Sequence, residues 1–167
     1  MIQEYCRLRV SPLLRIAIPI TSVDEVIQLQ PQDISPIPGV NPCLVGLTNQ
    51  RGRLLWVLHL EKFLGMKPMP LGKPIMAIAI RSQIPTEGIR CLACVVMAVE
   101  EIMTIDSQKL IPVPEIAPPS AKVLLSGIAK LDKNTYGVLN VKELFRLLNP
   151  DMDDSNEIPE LAGISTA

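Results

Sequence analysis

Arg51 is the residue best placed for recognition chemistry in this sequence. It lies in the stretch Asn49-Gln50-Arg51-Gly52, between the apolar runs Leu44-Val45-Gly46-Leu47 and Leu54 to Leu60. Asn and Gly tolerate positive φ at little steric cost, so the spacing predicts a hairpin with one long cation held at its rigid tip. Such a charge is either a solvated turn residue or a recognition point. Glu25 is the carboxylate expected to meet it as a partly buried pair, which would fix the guanidinium and leave spare donors for a partner. Trp56, the only tryptophan, follows in the next strand. It is either core packing or, if exposed, an interface anchor.

The other reactive side chains do not assemble into catalytic chemistry. His59, the only histidine, stands in an apolar strand with no Ser, Cys or Asp nucleophile pattern around it, and reads as a packed or edge residue. Cys91 and Cys94 form a C-x-x-C, a spacing used in redox and zinc sites. Their setting, CLACVVMAV, reads as a buried strand, on which residues three apart point to opposite faces. There is no second such pair, so the four cysteines are expected to be reduced core residues. Asp151, Asp153 and Asp154 resemble the start of a calcium loop but lack its glycine and downstream spacing. No phosphate-binding loop, dinucleotide fingerprint or nucleophile elbow occurs. The expectation is no enzyme, no metal and no cofactor.

Composition narrows the fold. Apolar residues make up 48% of the 167 positions, enough for a real core, but aromatics are only 3%, so that core must be aliphatic. Sixteen prolines interrupt the chain too often for long helices, which favours many short strands. A net charge of −1 without a basic patch speaks against nucleic acid. The N-terminus lacks the layout of a signal peptide, and the longest uncharged apolar stretch, Cys91 to Val99, is too short to span a bilayer. A soluble cytoplasmic protein is expected, with no membrane insertion.

The elements that must position Arg51 follow. Glu4 to Val10 and Leu13 to Pro19 read as strands around Ser11-Pro12. The second, LLRIAIPI, suits a strand buried on most of both faces. Thr21 to Val26 reads as a capped helical turn or bend, continued as a strand at Ile27-Gln28-Leu29. A proline-stiffened crossing over Ile34 to Gly39 leads into the central hairpin. Met66 to Pro74 is the best internal boundary. Beyond it, Ile75 to Ile80 and Ile89 to Met97 pair as strands around a polar loop, and Val99 to Ile105 bends into another. A second crossing spans Lys109 to Pro114. Lys122 to Leu131 and Tyr136 to Asn140 form a second hairpin across Asp132-Lys133-Asn134. Val141 to Leu148 is a short amphipathic helix. The tail, 151–167, is acidic, then small and polar, and is expected to be disordered.

The chain also repeats itself. Val23-Asp24-Glu25-Val26 recurs as Val99-Glu100-Glu101-Ile102, 76 positions on, and Ile34 to Pro38 recurs at the same offset as Leu110 to Pro114. After a five-residue insertion, Leu44-Val45-Gly46 matches Leu125-Ser126-Gly127, and Val57 to Leu60 matches Val138 to Val141. A small all-β unit is therefore used twice, as two barrels back to back over a shared core. The expected organisation is one domain over 1–150, with an N-terminal strand at 4–10 and subdomains at roughly 13–68 and 74–149. Only the first hairpin carries the arginine.

These residues resemble a known family. Arg15 to Ile20, Val23 to Val26, Ile37-Pro38-Gly39 and Val45-Gly46-Leu47-Thr48-Asn49-Gln50-Arg51-Gly52 are similar to the CheW-like adaptor domain. Leu125 to Ala129 and Gly137 to Leu144 resemble its closing hairpin and helix, so the similarity covers about residues 4 to 149. The resemblance implies an all-β fold of two five-stranded SH3-like barrels. It also implies a non-enzymatic coupling protein between the cytoplasmic tip of a methyl-accepting chemoreceptor and the regulatory domain of a CheA-type histidine kinase. The kinase domain shares the fold and pairs barrel end to barrel end. On this resemblance Glu25 and Arg51 match the family's acidic and arginine positions. Asn49, Gly52 and Trp56 belong to the same partner-binding set, and Val26, Val99 and Ile102 lie near the groove that receives the receptor helix. Two departures stand out. Trp56-Val57-Leu58-His59-Leu60 replaces the usual Pro-Val-hydrophobic-Asp-Leu, and Met97 replaces an acidic residue. They point to a divergent branch serving type IV pilus motility or phototaxis. The absence of a receiver domain argues against two-domain adaptors. The alternative is a stand-alone binding module that senses a small ligand or regulates another assembly.

Overall fold

The computed structural model describes residues 1–84 and 88–149; the expected tail, 151–167, lies outside them. Eleven strands and three short helices follow one another among these residues. They are β1 (Ile2–Ser11), β2 (Leu14–Pro19), β3 (Val23–Leu29), β4 (Ile34–Ser35), β5 (Leu44–Gln50), β6 (Arg53–Leu58), α1 (Leu60–Phe63), β7 (Ile75–Arg81), β8 (Cys91–Val95), β9 (Ala98–Asp106), α2 (Pro119–Leu124), β10 (Leu125–Leu131), β11 (Asn134–Leu139) and α3 (Val141–Leu148). No helix among the described residues is long and apolar enough to cross a membrane.

The strands form two sheets, in the orders β3-β7-β8-β6-β5-β4 and β10-β11-β2-β1-β9. The first has a sixth strand, the two-residue β4, which adds to the five expected. Its counterpart in the other half is a single bridge between Ile111 and Ile128. The duplication holds at the level of pairing. Ser35 pairs with Leu47 where Ile111 pairs with Ile128, and the parallel pair Trp56–Leu92 corresponds to Gly137–Ile16. The sheets do not follow the division 13–68 and 74–149, however. The β1–β2 hairpin lies in the second sheet and the β7–β8 hairpin in the first. Each half of the chain completes the other's barrel.

This exchange explains the apolar runs without alternation. In β7, Ile75, Ala77 and Ala79 face the first barrel's interior with Ile27, Leu55 and Val57. Ile78 and Ile80 face the opposite way, into a core lying between the sheets. In β2, Ile16 and Ile18 join that middle core, while Ala17 enters the second barrel's interior beside Tyr5, Tyr136 and Val138. Strands buried on both faces have no polar positions to alternate. α3 closes the middle core with Val141, Leu144, Phe145 and Leu148, and the Asn140 side chain caps it by accepting from Glu143 N at 3.1 Å.

Two local expectations are corrected. Val23 to Val26 is not a helical bend: it is the start of β3, preceded by a single 3-10 turn at Ile20–Ser22. Backbone pairing with β7 outweighs the turn-like local sequence. Lys122 to Leu124 is the end of α2 and not the start of a strand. Pro119 at the first helical position supplies a preset φ, and six residues are too few to show a helical period.

Two sites in this packing are directly testable. A Cβ on Gly46 would come within 2.3 Å of the Ser35 carbonyl oxygen, so the β4–β5 approach requires glycine there. Gly46→Ala is expected to cost about 3 kcal/mol or more, a fall in Tm of roughly 10 °C, read by thermal melting. Cys91 and Cys94 lie on opposite sides of β8, as the strand reading requires: Cys94 packs in the middle core and Cys91 against the first barrel's interior. Burial pushes the Cys94 thiol up to about 12. A raised acid stabilises the fold fully below its unfolded pKa of about 8.5 and loses that contribution as pH rises toward the folded value. Thermal melts from pH 8 to 11 should therefore fall more steeply for the parent than for Cys94→Ala. Equal slopes would show that this thiol ionises freely.

Candidate functional site

The site is the open rim of the first barrel, where the β5–β6 turn meets the start of β3. The turn is a two-residue loop, tighter than the four-residue stretch read from the sequence. Arg51 has φ 53° and Gly52 φ 85°, the pair of positive values that a type I′ hairpin demands. Asn49 Oδ1 accepts from Gly52 N at 2.8 Å and locks the loop. The left-handed conformation costs an arginine roughly 1 kcal/mol, so stability alone does not explain its presence.

β3 answers with two carboxylates. Its register against β7 slips between Val23 and Glu25, a bulge that re-aims side chains which would otherwise alternate. Asp24 and Glu25 therefore both serve the same rim. Arg51 Nη2 donates to both oxygens of Glu25, each at 2.7 Å. Arg53 lies 3.8 Å from Glu25 and 3.6 Å from Asp24. Arg81, at the end of β7, pairs with Asp24 and donates to Thr21 O at 3.3 Å. Three guanidiniums thus share two carboxylates. The Arg51 side chain is 75% exposed and Glu25 29%, so solvent screens the pair and its stabilising value is about 0–1 kcal/mol. What it provides is direction: Nε and Nη1 of Arg51 face no acceptor among the described residues.

The structure brings Glu25, Asn49, Arg51 and Gly52 together. Trp56 is half-buried on β6, between Leu47 and Leu92, and packs against the middle core instead of projecting. Val26 and Ile102, 48% and 54% exposed, occupy equivalent positions on β3 and β9, the end strands of the two sheets. Val99 packs against the middle core, as does its counterpart Val23. Asp24, Arg53 and Arg81 were not among the expected site residues. The adjacency of Asp24 to Glu25 and of Arg53 to Arg51 was visible, but the bulge that makes both acids useful was not.

His59 is a structural clamp. Its Nε2 donates to Met69 O at 3.2 Å, while the buried Glu61 accepts from Met69 N at 2.9 Å, so the two pin the segment linking α1 to β7. A cleft of about 570 Å³ lies where Gln3, Tyr5, Thr21, Ser82 and Lys142 converge, and none of the expected site residues lines it. Among the described residues no three His, Cys, Asp or Glu side chains cluster as a metal site.

Comparison with known proteins bears on the family and the fold. Residues 8–149 match the CheW-like domain. The chain belongs to the CheW-like domain family. A curated relative, a "probable chemotaxis protein CheW" from Rhizobium etli, is 28% identical over 104 residues, spanning 61% of this chain and 63% of the relative. The crystal structure of a scaffolding protein, TtCheW from Thermoanaerobacter tengcongensis, superposes with a TM-score of 0.68 at 23% identity. It covers 87% of this chain and 93% of that one, and the shared fold is the pair of SH3-like barrels.

The turn's energetics can be checked apart from any binding. Arg51→Asn gives up a screened pair but places a residue tolerant of positive φ in the loop, so urea unfolding should shift by less than about 1 kcal/mol. Asn49→Ala removes the bond that locks Gly52 and should cost about 1 kcal/mol.

Proposed function

We propose that this CheW-like protein is a non-enzymatic signalling adaptor. It couples the cytoplasmic tip of a methyl-accepting chemoreceptor to the regulatory domain of a CheA-type histidine kinase. The observation that carries the reading is the Arg51–Glu25 pair at an open barrel rim, in a chain that matches the CheW-like domain over residues 8–149. Asn49 and Gly52 hold the turn, Arg51 offers its free donors to the partner, and Trp56 supports the strand behind it. Val26, Val99 and Ile102 supply the apolar side toward the receptor helix, a helix-in-groove contact. The output is chemotaxis, phototaxis or pilus motility, and His59 and Met97 at unusual family positions favour a branch outside the flagellar system. The second reading, a module that senses a small ligand, has its support in the cleft beside Tyr5 and Ser82.

Titration with the regulatory domain of a CheA-type kinase from the same cell tests the adaptor reading. Binding in the micromolar range is expected. Arg51→Glu should weaken it at least ten-fold, about 1.4 kcal/mol, while Tm stays within a few degrees. No binding to any such domain would remove the adaptor reading. Loss of folding in Arg51→Glu would make the residue structural.

A further inference from the structure

The cleft of about 570 Å³ has a chemistry that nothing above uses. It opens where β1 begins and β2 and β11 finish, beside the segments that lead into β3 and out of β7. Its floor is apolar: Tyr5, Leu110 and Val138 belong to the second barrel's interior and line it from below. A concave site of this size with an apolar floor and a few polar groups suits a small molecule. The polar groups are one-sided. Among the described residues the lining holds hydroxyls, amides and one ammonium, and no carboxylate.

α3 begins in this cleft. The backbone N–H groups of Val141 and Lys142 have no acceptor among the described residues, because the Asn140 side chain caps Glu143 N and leaves these two open. The Lys142 ammonium makes no hydrogen bond or ion pair among those residues either. The one acid of the first turn, Glu143, is drawn back along the helix to Arg146. A helix start with free donors attracts anions, but most such ends are simply hydrated. Ser22 makes this one different. It is only 2% exposed, yet its hydroxyl has no partner among the described residues. That hydroxyl is also absent from the polar atoms sealed off from solvent, so it opens on the cleft that Ser22 lines. A buried hydroxyl without a partner costs stability, and a ligand oxygen in the cleft would satisfy it.

We propose that this cleft binds a small phosphate monoester. The phosphate oxygens accept from the N–H groups of Val141 and Lys142, from the Lys142 ammonium and from the Ser22 hydroxyl. The organic part of the ester lies on Tyr5, Leu110 and Val138. Donors on two separate elements, an ammonium among them, suit the three terminal oxygens of a phosphate better than the two of a carboxylate. The assignment rests on the small-ligand reading of this cleft, to which it adds a ligand class, and it holds whether or not the chain is also an adaptor.

Isothermal titration of the full chain with phenyl phosphate, beside phenol, tests it. Saturable binding of phenyl phosphate is expected, roughly ten-fold tighter than phenol and weakening as salt is raised. Lys142→Gln and Ser22→Ala should each lose about five-fold in affinity, while Arg51→Glu and Arg15→Gln bind as the parent does. Ser22→Ala should melt at or above the parent, since it removes an unpaired hydroxyl, so its loss of affinity would not come from unfolding. Phenol binding as tightly as phenyl phosphate would remove the phosphate and keep the small-ligand reading; no saturable binding of either would remove both. Unchanged affinity in Lys142→Gln and Ser22→Ala would put the phosphate elsewhere on the chain and overturn the site. A Tm of Ser22→Ala several degrees below the parent would make Ser22 structural and overturn it too.

Discussion

The fold depends on one constraint: the inner strands β1, β2, β7 and β8 must each satisfy two apolar environments at once. Ile16 and Ile78 look into the layer between the sheets, while Ala17 and Ala77 look into the barrels. In the middles of β2 and β7, isoleucines fill the layer between the sheets, and alanines fit the barrel interiors beside larger side chains such as Tyr136 and Leu55. Since each barrel borrows a hairpin from the other half of the chain, neither half has a closed sheet by itself. The middle core is therefore a condition for both barrels and not a later docking of finished domains.

That constraint frees the rims. With the apolar energy concentrated in the three cores, the barrel ends can carry strained or repelling groups without threatening the fold. Arg51 sits at φ 53° and Arg9 faces Arg15, choices that a stability optimum would not make. Positions where local preference and global fold disagree are where function is expected. Asp132, the counterpart of Arg51, also has positive φ, 55°, but aspartate adopts that conformation more readily. The strain accepted for arginine is thus particular to the first barrel.

Much of this was legible in the residues. The 76-residue offset between Val23 and Val99 located equivalent strands, and the later Gly46–Gly127 match located the two tight crossings. The Glu25–Arg51 contact followed from placing one acid near one turn. The exchange of hairpins was not legible, because LLRIAIPI and PIMAIAI read as doubly buried strands wherever they pair. The bulge at Asp24 was hidden for a related reason: a register slip is set by the partner strand β7, and Asp24-Glu25 alone reads as a helical bend. α2 is six residues long and leaves no periodic trace.

The two rims show how one duplicated scaffold yields two different surfaces. In the first, the bulge acids, Asp24 and Glu25, are held by Arg81, Arg51 and Arg53, and the most exposed of the three guanidiniums is the one at the turn tip. In the second, Arg7 occupies the place of Ala79, takes Glu101 and stacks over Tyr136, with its guanidinium carbon 5.9 Å from the ring centre. Arg7 meets Glu101, the counterpart of Glu25, while Glu100, the counterpart of Asp24, makes no ion pair with Arg9 as Asp24 does with Arg81. The rims thus differ in pairing: Arg9 and Arg15 face one another across the hairpin, where Arg81 meets Asp24. The difference between the barrels is therefore electrostatic before it is structural: the strand pairing is repeated and the charge pairing is not.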